Sequence, residues 1–515
     1  MIVSQIQPTL AADMAVPHGG AKREALRVNG QFWTPDWVAD AMVAYVLHGE
    51  SDTLFDPGVG AGAFLRAGRR LRGPSLKLRG REIDPAALVA ALESGLTAED
   101  MADVELRDFA LHPPREKYSA IVANPPYVRH HRLSEAAKIA LHCFARDLIG
   151  RSIDGRAGLH VFFLLRCLNM LAPGGRLAFI VSADICEGVY ARTLWSWVAS
   201  RFCLDAVVTF APDATPFPGV DTNAVLLLVR HAAPKKNFAW VRVTTAGDDS
   251  LTRWVKAGLP HVSKFDALEI TDRTAEEGFA TGLSRAPVDS ESTRHCLGDF
   301  ARVMRGIATG QNDFFFMTAK QAEELEIPKR YFIPAIGRMR DVQTEPFTND
   351  DLQELEAANR PTRLLSLGDE PRDKLPAALQ QYLKKGEEAK IPACTLIATR
   401  NPWYRMERRT APPFFFAYLG RRAVRFIRNQ TEAVPLTCLL CVYPFDSSAE
   451  NLERLWQVFS DPRTSANLRL VGKSYGDGAL KVEPRSLQQL QIPDDVLSEA
   501  GLFTHARPKQ PELGF

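Results

Sequence analysis

Thr53-Leu-Phe-Asp-Pro-Gly-Val-Gly-Ala-Gly62 is a short apolar strand that runs directly into three glycines at alternate positions, and a helical stretch begins near Ala63. Glycine lets a backbone turn sharply and approach a ligand closely. The surrounding chain repeats the strand-then-helix order. Residues 76–84 contain a second strand, 119–123 a third, and 175–182, 204–210 and 223–229 three more. Residues 35–47 have the apolar spacing of an amphipathic helix, with Thr34 expected as its N-cap and Pro35 in its first position. A second helix is expected around 159–171. Alternating strands and helices imply a mostly parallel sheet covered on both faces, an α/β Rossmann-like domain. The wholly apolar run Ala224–Val229 suits a strand buried on both sides.

A chain of 515 residues is too long for one ordinary domain. The reading places a loose arm over 1–29, the α/β domain over 30–231, a mixed α+β region over 232–497 and a tail over 498–515. Ala232-Ala-Pro-Lys-Lys-Asn237 marks the boundary. The apolar runs are too short to cross a bilayer, and the first twenty residues lack a basic segment leading into an apolar core. The expected compartment is the cytoplasm. Net charge is +2, which neither demands nor excludes a polyanionic partner; clustering of the basic residues decides. Of eight cysteines only Cys438 and Cys441 form a C-x-x-C, inside the apolar run 436–443. That run reads as a buried strand whose thiols pack rather than bind metal.

Two further motifs give the glycine turn a chemistry. Glu82 ends the next strand, 20 positions beyond Gly62. An acid at that spacing is placed to accept hydrogen bonds from ribose hydroxyls, and Ile83 beside it offers an apolar face to an adenine. The third strand ends in Asn124-Pro125-Pro126-Tyr127. Two prolines stiffen the turn and remove two N–H donors. The Asn124 amide oxygen and a proline carbonyl together can accept both hydrogens of an amino group. The lone pair of an aryl or amide nitrogen is delocalised; holding its N–H bonds out of plane makes that nitrogen nucleophilic without a strong base. Tyr127 offers a flat face for a planar group.

In this order the elements resemble the gamma-class, TaqI-like N6-adenine DNA methyltransferases of restriction–modification systems, over residues 30–230. The resemblance implies S-adenosylmethionine as cofactor, with no metal, and duplex DNA as partner, beside a separate endonuclease. Gly30-Gln-Phe-Trp-Thr34-Pro35 resembles the segment that contacts the methionine part of the cofactor, which places Thr34 there. Asp56, Pro57, Gly58, Gly60 and Gly62 correspond to the cofactor-binding turn, and Glu82 and Ile83 to the ribose and adenine contacts. Asp108 and Phe109 correspond to the segment whose aspartate bonds the adenine amine of the cofactor. Asn124, Pro125, Pro126 and Tyr127 match the catalytic loop. Phe217, in Pro216–Asn223, is implied as a second aromatic that stacks the flipped base with Tyr127. The chain departs from many relatives at Gly58-Val59, where they carry Ala-Cys. Residues 306–314, 382–387, 401–404 and 474–487 resemble pieces of DNA target-recognition domains.

A base inside a duplex is out of reach, so it must be flipped out, at a cost of roughly a few kcal/mol that DNA contacts offset. Arg129 and Arg132 follow the catalytic loop; Arg405 and Arg408, then Arg421 and Arg425, form two later basic groups. These are the expected DNA contacts. The Asn-Pro-Pro-Tyr loop alone leaves other acceptors open: cytosine N4, guanine N2 of ribosomal RNA, or a protein glutamine. A fused nuclease has only Glu388-Ala-Lys390 to recommend it, in a polar helical stretch. A non-catalytic DNA-binding subunit would not need Asn124 and Tyr127.

Overall fold

The computed structural model describes residues 33–49, 51–187, 190–218, 223–261, 265–287, 295–420, 424–475 and 479–502. It divides into two compact units, residues 1–287 with 475–478, and residues 288–474 with 479–515.

The first unit is built on a nine-stranded sheet ordered β3-β2-β1-β4-β5-β7-β6-β8-β9. In chain order its elements are α1 (Asp36–Val46), β1 (Thr53–Asp56), α2 (Ala63–Arg72), β2 (Lys77–Glu82), α3 (Pro85–Glu93), β3 (Val104–Leu106), β4 (Tyr118–Ala123), α4 (Glu135–Ile149), α5 (Leu159–Met170), β5 (Leu171–Ser182), β6 (Cys203–Phe210), β7 (Ala224–Arg230), β8 (Asn237–Val243) and β9 (Leu268–Thr274). Strands β1 to β5 pair in parallel; β7 lies antiparallel between β5 and β6. Side chains alternate across the pleat, so each strand feeds two cores. Phe55, Ile121, Phe179, Val207 and Leu227 face one layer; Leu54, Val122, Ile180, Val208 and Leu226 face the other. Helix α5 packs into the first layer and α1 into the second, which covers the sheet on both sides as the alternating pattern requires.

Two expectations change here. The sheet does not stop at residue 231: β8 pairs in parallel with β6 and β9 closes the edge. The first unit therefore extends to residue 287. Helix α1 begins at Asp36 with Pro35 at the N-cap and no side-chain cap. Thr34 does not cap it, because its hydroxyl is engaged elsewhere.

In the second unit, strands Ala301–Arg305, Leu440–Pro444, Phe414–Ala417 and Arg425–Arg428 form an antiparallel sheet in that order. A smaller sheet joins Phe316–Met317, Arg363–Leu365, Phe332–Ile336 and Val434–Pro435. Three of the sequence pieces singled out in this half meet in one aromatic cluster. Phe314 stacks on Tyr382 at 4.6 Å between centroids and tilts against Trp403 at 5.8 Å. The tyrosine hydroxyl donates to the Phe314 carbonyl at 2.7 Å. The expected strand over 436–443 is shorter, starting at Leu440. Cys441 is buried and burial pushes its thiol up to about 11, which keeps it a neutral packing group. The described residues continue past residue 498 to Leu502, which is fully buried. No described helix is long and apolar enough to cross a membrane.

Candidate active site

The carboxyl ends of β1, β2 and β4 surround one cavity. Thr34, Pro57, Gly58, Gly60, Glu82, Ile83, Asp108, Phe109, Asn124 and Pro126 line it. Ten residues from five separate stretches of sequence thus converge on one hollow. Open α/β sheets bind ligands here because the loops diverge beyond the strand ends.

Steric necessity explains the turn. Gly62 adopts φ 77° at the start of α2, and a Cβ there would sit 2.3 Å from Leu96. Gly80, inside β2, is a second requirement that the sequence reading passed over. A Cβ on it would lie 2.4 Å from Val59 and 2.9 Å from the Asp56 carbonyl. The turn can settle onto β2 only because position 80 has no side chain.

Glu82 then locks the turn. Its Oε2 accepts the Gly60 N–H at 2.7 Å; its Oε1 accepts those of Ile83 and Asp84 at 2.8 and 2.9 Å. Both lone-pair positions of Oε1 are occupied, whereas Oε2 retains room for one more donor. Ile83 lines the cavity and is 67% exposed, an open apolar surface among the described residues. Asp108 fixes its own loop by accepting the Leu111 N–H at 3.0 Å. Phe109 is buried between Phe55 and Phe163 and forms part of the floor.

Asp56 lies behind the lining, fully buried. Its Oδ1 accepts the Gly58 N–H at 3.0 Å, and Oδ2 has no hydrogen-bond partner among the described residues. Burial pushes this carboxyl up to about 8. The folded chain then keeps a proton that the unfolded chain loses near pH 4. Stability contributed by this group falls as pH rises through the interval between those values. Relative to Asp56→Asn, the wild-type thermal midpoint should decline steadily from pH 5 to pH 8. Parallel profiles for the two proteins would contradict the assignment.

Asn124 ties the Asn-Pro-Pro-Tyr loop to another segment. Its Nδ2 donates to the Thr34 hydroxyl at 3.0 Å, across 90 positions of sequence. That bond directs the amide nitrogen toward Thr34 and the amide oxygen the other way. Pro126 shares the cavity wall, and Pro125 is buried beneath it.

The structure does not gather every expected residue. Tyr127 is half-buried, outside the cavity lining, with its ring against the first core layer and its hydroxyl oxygen inside. Burial raises its phenol well above the usual range. Phe217 is 5% exposed in the second core layer, on the opposite face of the sheet from the layer that Tyr127 packs against. The pair is not brought together, because Phe217 fills core volume beside β6 and β7. Arg129 and Arg132 are exposed beside the loop. Arg405 pairs with Asp369 at 2.9 Å, and Arg408 is exposed. Arg425 is held by Glu345 at 2.5 Å and by the Val342 carbonyl at 3.3 Å, so it anchors its own unit. Arg421 lies outside the described residues. Conversely, Trp33, Arg107, Leu159 and Phe163 line the cavity without having been singled out.

Comparison with known proteins gives matches in both halves of the chain. Residues 90–217 match the Eco57I restriction-modification methylase family, and residues 286–508 match the C-terminal domain of Type II methyltransferase M.Eco57I. The chain belongs among the restriction–modification methyltransferases. It is 24% identical over 468 residues to Type II methyltransferase M.AccI of Acinetobacter calcoaceticus, covering 89% of this chain and 84% of that one. It is 25% identical over 478 residues to M.XamI of Xanthomonas campestris pv. amaranthicola, covering 90% and 85%. Among solved structures, the Type IIL restriction-modification enzyme MmeI in complex with DNA shares the fold, at TM-score 0.54 and 12% identity. That likeness covers 91% of this chain and 64% of the MmeI chain. The match from residue 286 onward coincides with the end of the first unit at residue 287.

Proposed function

We propose that the chain is a gamma-class, TaqI-like enzyme that methylates the N6 amine of an adenine flipped out of duplex DNA, using S-adenosylmethionine. The observation that carries this reading is the presence of Asn124 in the same cavity as the glycine turn, Glu82 and Asp108. A loop that binds an amino group and a cradle suited to a nucleoside share one space.

The cradle suits the cofactor. Exposed Ile83 offers a surface for an adenine, Glu82 Oε2 has room for a ribose hydroxyl, and Asp108 is within the same wall. The buried Asp56 carboxyl supports the turn from behind by accepting the Gly58 N–H. When bound, S-adenosylmethionine supplies an electrophilic sulfonium methyl. The chain's own work is to shape the acceptor. Asn124 Oδ1 and the Pro125 carbonyl accept the two amine hydrogens and draw the nitrogen out of conjugation. Thr34 keeps the amide turned so that oxygen, not nitrogen, meets those hydrogens. The half-exposed ring of Tyr127 supplies stacking surface at the end of the loop. Partners are duplex DNA and a separate endonuclease.

Duplex DNA incubated with the purified chain and S-adenosylmethionine, then digested to nucleosides for mass spectrometry, tests the reading. N6-methyladenine is expected. N4-methylcytosine, or methyl groups found only on protein or RNA, would overturn it.

A further inference from the structure

The second unit contains a cavity in which Arg330, Ser366, Asp369, Glu370 and Arg408 meet. It lies on three segments that backbone atoms tie together. Ser366 donates its N–H to the Tyr331 carbonyl at 2.8 Å, and Met406 donates its N–H to the Leu367 carbonyl at 2.8 Å. The buried Tyr404 hydroxyl donates to the Glu370 carbonyl at 2.8 Å. The rim is therefore preorganised, as a reading surface must be.

Arg408 differs from the arginines around it. Arg405 pairs with Asp369, Arg409 with Glu407, Arg425 with Glu345 and Arg428 with Glu453. Among the described residues no ion pair or hydrogen bond involves the Arg408 side chain, which lies over Gly368 at the cavity wall. Its guanidinium lies so close over Gly368 that a Cβ there would sit 2.8 Å from one Nη. Across the same cavity, the exposed Glu370 carboxylate also has no hydrogen bond or ion pair among the described residues. An arginine fork and a carboxylate thus stand on one rim of fixed backbone, with their hydrogen-bonding capacity unused among the described residues.

This combination discriminates between two uses of a basic surface. A phosphate site gathers cations and shuns carboxylates, which repel the backbone anion. A base-reading site can use both kinds of group: an arginine fork matches the O6 and N7 acceptors of guanine, and a carboxylate matches the N4 donor of cytosine. We propose that Arg408 and Glu370 read the major-groove edge of a G·C base pair in the target sequence. The inference rests on the DNA reading above and names the residues that confer part of its site preference.

The test selects bound sequences from a randomised duplex library with the full chain, for wild type, Arg408→Ala, Arg408→Lys and Glu370→Gln. Thermal unfolding serves as a folding control, since all three substitutions are at exposed positions. Arg408→Ala is expected to lower affinity for the selected site by about tenfold or more and to relax preference at one G·C position. Arg408→Lys keeps the charge but loses the fork, and should relax the same position. Glu370→Gln should relax the cytosine side of that pair. The salt dependence of binding should stay unchanged in Arg408→Lys. Uniform weakening on all sequences, with a salt slope reduced by about 0.9, would make Arg408 a phosphate contact and overturn the inference. Unaltered selection in Arg408→Ala would overturn it as well. A wild-type chain that selects no duplex sequence overturns the DNA reading and this inference together, whereas selection by wild type with unaltered variants overturns the inference alone.

Discussion

Asn124→Ala is expected to lower the rate of methyl transfer by at least about 100-fold, the scale on which removal of one positioned catalytic hydrogen-bonding group is felt. Affinity for S-adenosylmethionine should remain close to that of wild type, because the turn is held by Glu82 and not by Asn124. The variant removes the oxygen that accepts an amine hydrogen and leaves the loop's two prolines in place. A graded companion is available. Thr34→Val keeps the Asn124 side chain but removes the hydroxyl that receives its Nδ2–H at 3.0 Å. The amide is then free to invert and present a donor to the amine, and a loss of about tenfold in rate is expected, in line with one neutral hydrogen bond. Single-turnover transfer from radiolabelled cofactor measures both. Near-normal turnover in Asn124→Ala would remove the catalytic assignment.

Glu82→Ala is expected to abolish cofactor binding, with affinity reduced by at least about 100-fold. Three backbone N–H groups, those of Gly60, Ile83 and Asp84, lose their acceptor at once. Each partly buried donor left unsatisfied costs about 1–3 kcal/mol, so the glycine turn itself loosens. Glu82→Gln should not rescue it fully, since an amide can offer an oxygen to only one side of a site that needs acceptors on both. Isothermal titration with S-adenosylmethionine, alongside a thermal unfolding profile, separates loss of the turn from loss of the fold. Wild-type affinity in Glu82→Ala would show that the turn does not hold the cofactor.

The reasons why part of this site was readable in sequence, and part was not, are physical. The glycine turn, the acid that ends β2 and the Asn-Pro-Pro-Tyr corner are local. Each is fixed by its own backbone requirements within about ten residues, so residue type and spacing carry the information. Gly80 was also legible: a glycine inside a strand signals a close backbone approach. Phe163 and Leu159 were not. Helix α5 buries Val161, Phe162, Phe163, Leu164 and Leu165 in succession, and a helix apolar on all sides does not reveal which face looks into a cavity. Thr34 has two competing uses, as a helix cap and as a partner for Asn124, and only the fold shows which one prevails. The extent of the sheet was misjudged because β8 and β9 follow a Pro-Lys-Lys boundary signal at residues 234–236. Tertiary pairing with β6 decides their place. The arginines divide in the same way. Composition shows a basic cluster, but only the carboxylates beside Arg405, Arg425 and Arg428 separate anchoring residues from Arg408.

A structure of the full chain with bound S-adenosylhomocysteine tests most directly whether cradle and catalytic amide serve one reaction. The account predicts adenine against Ile83, a ribose hydroxyl on Glu82 Oε2, and the sulfur directed toward the Asn124 amide oxygen. Density for the ligand in any other cavity of the first unit, or with its sulfur facing away from Asn124, would contradict it.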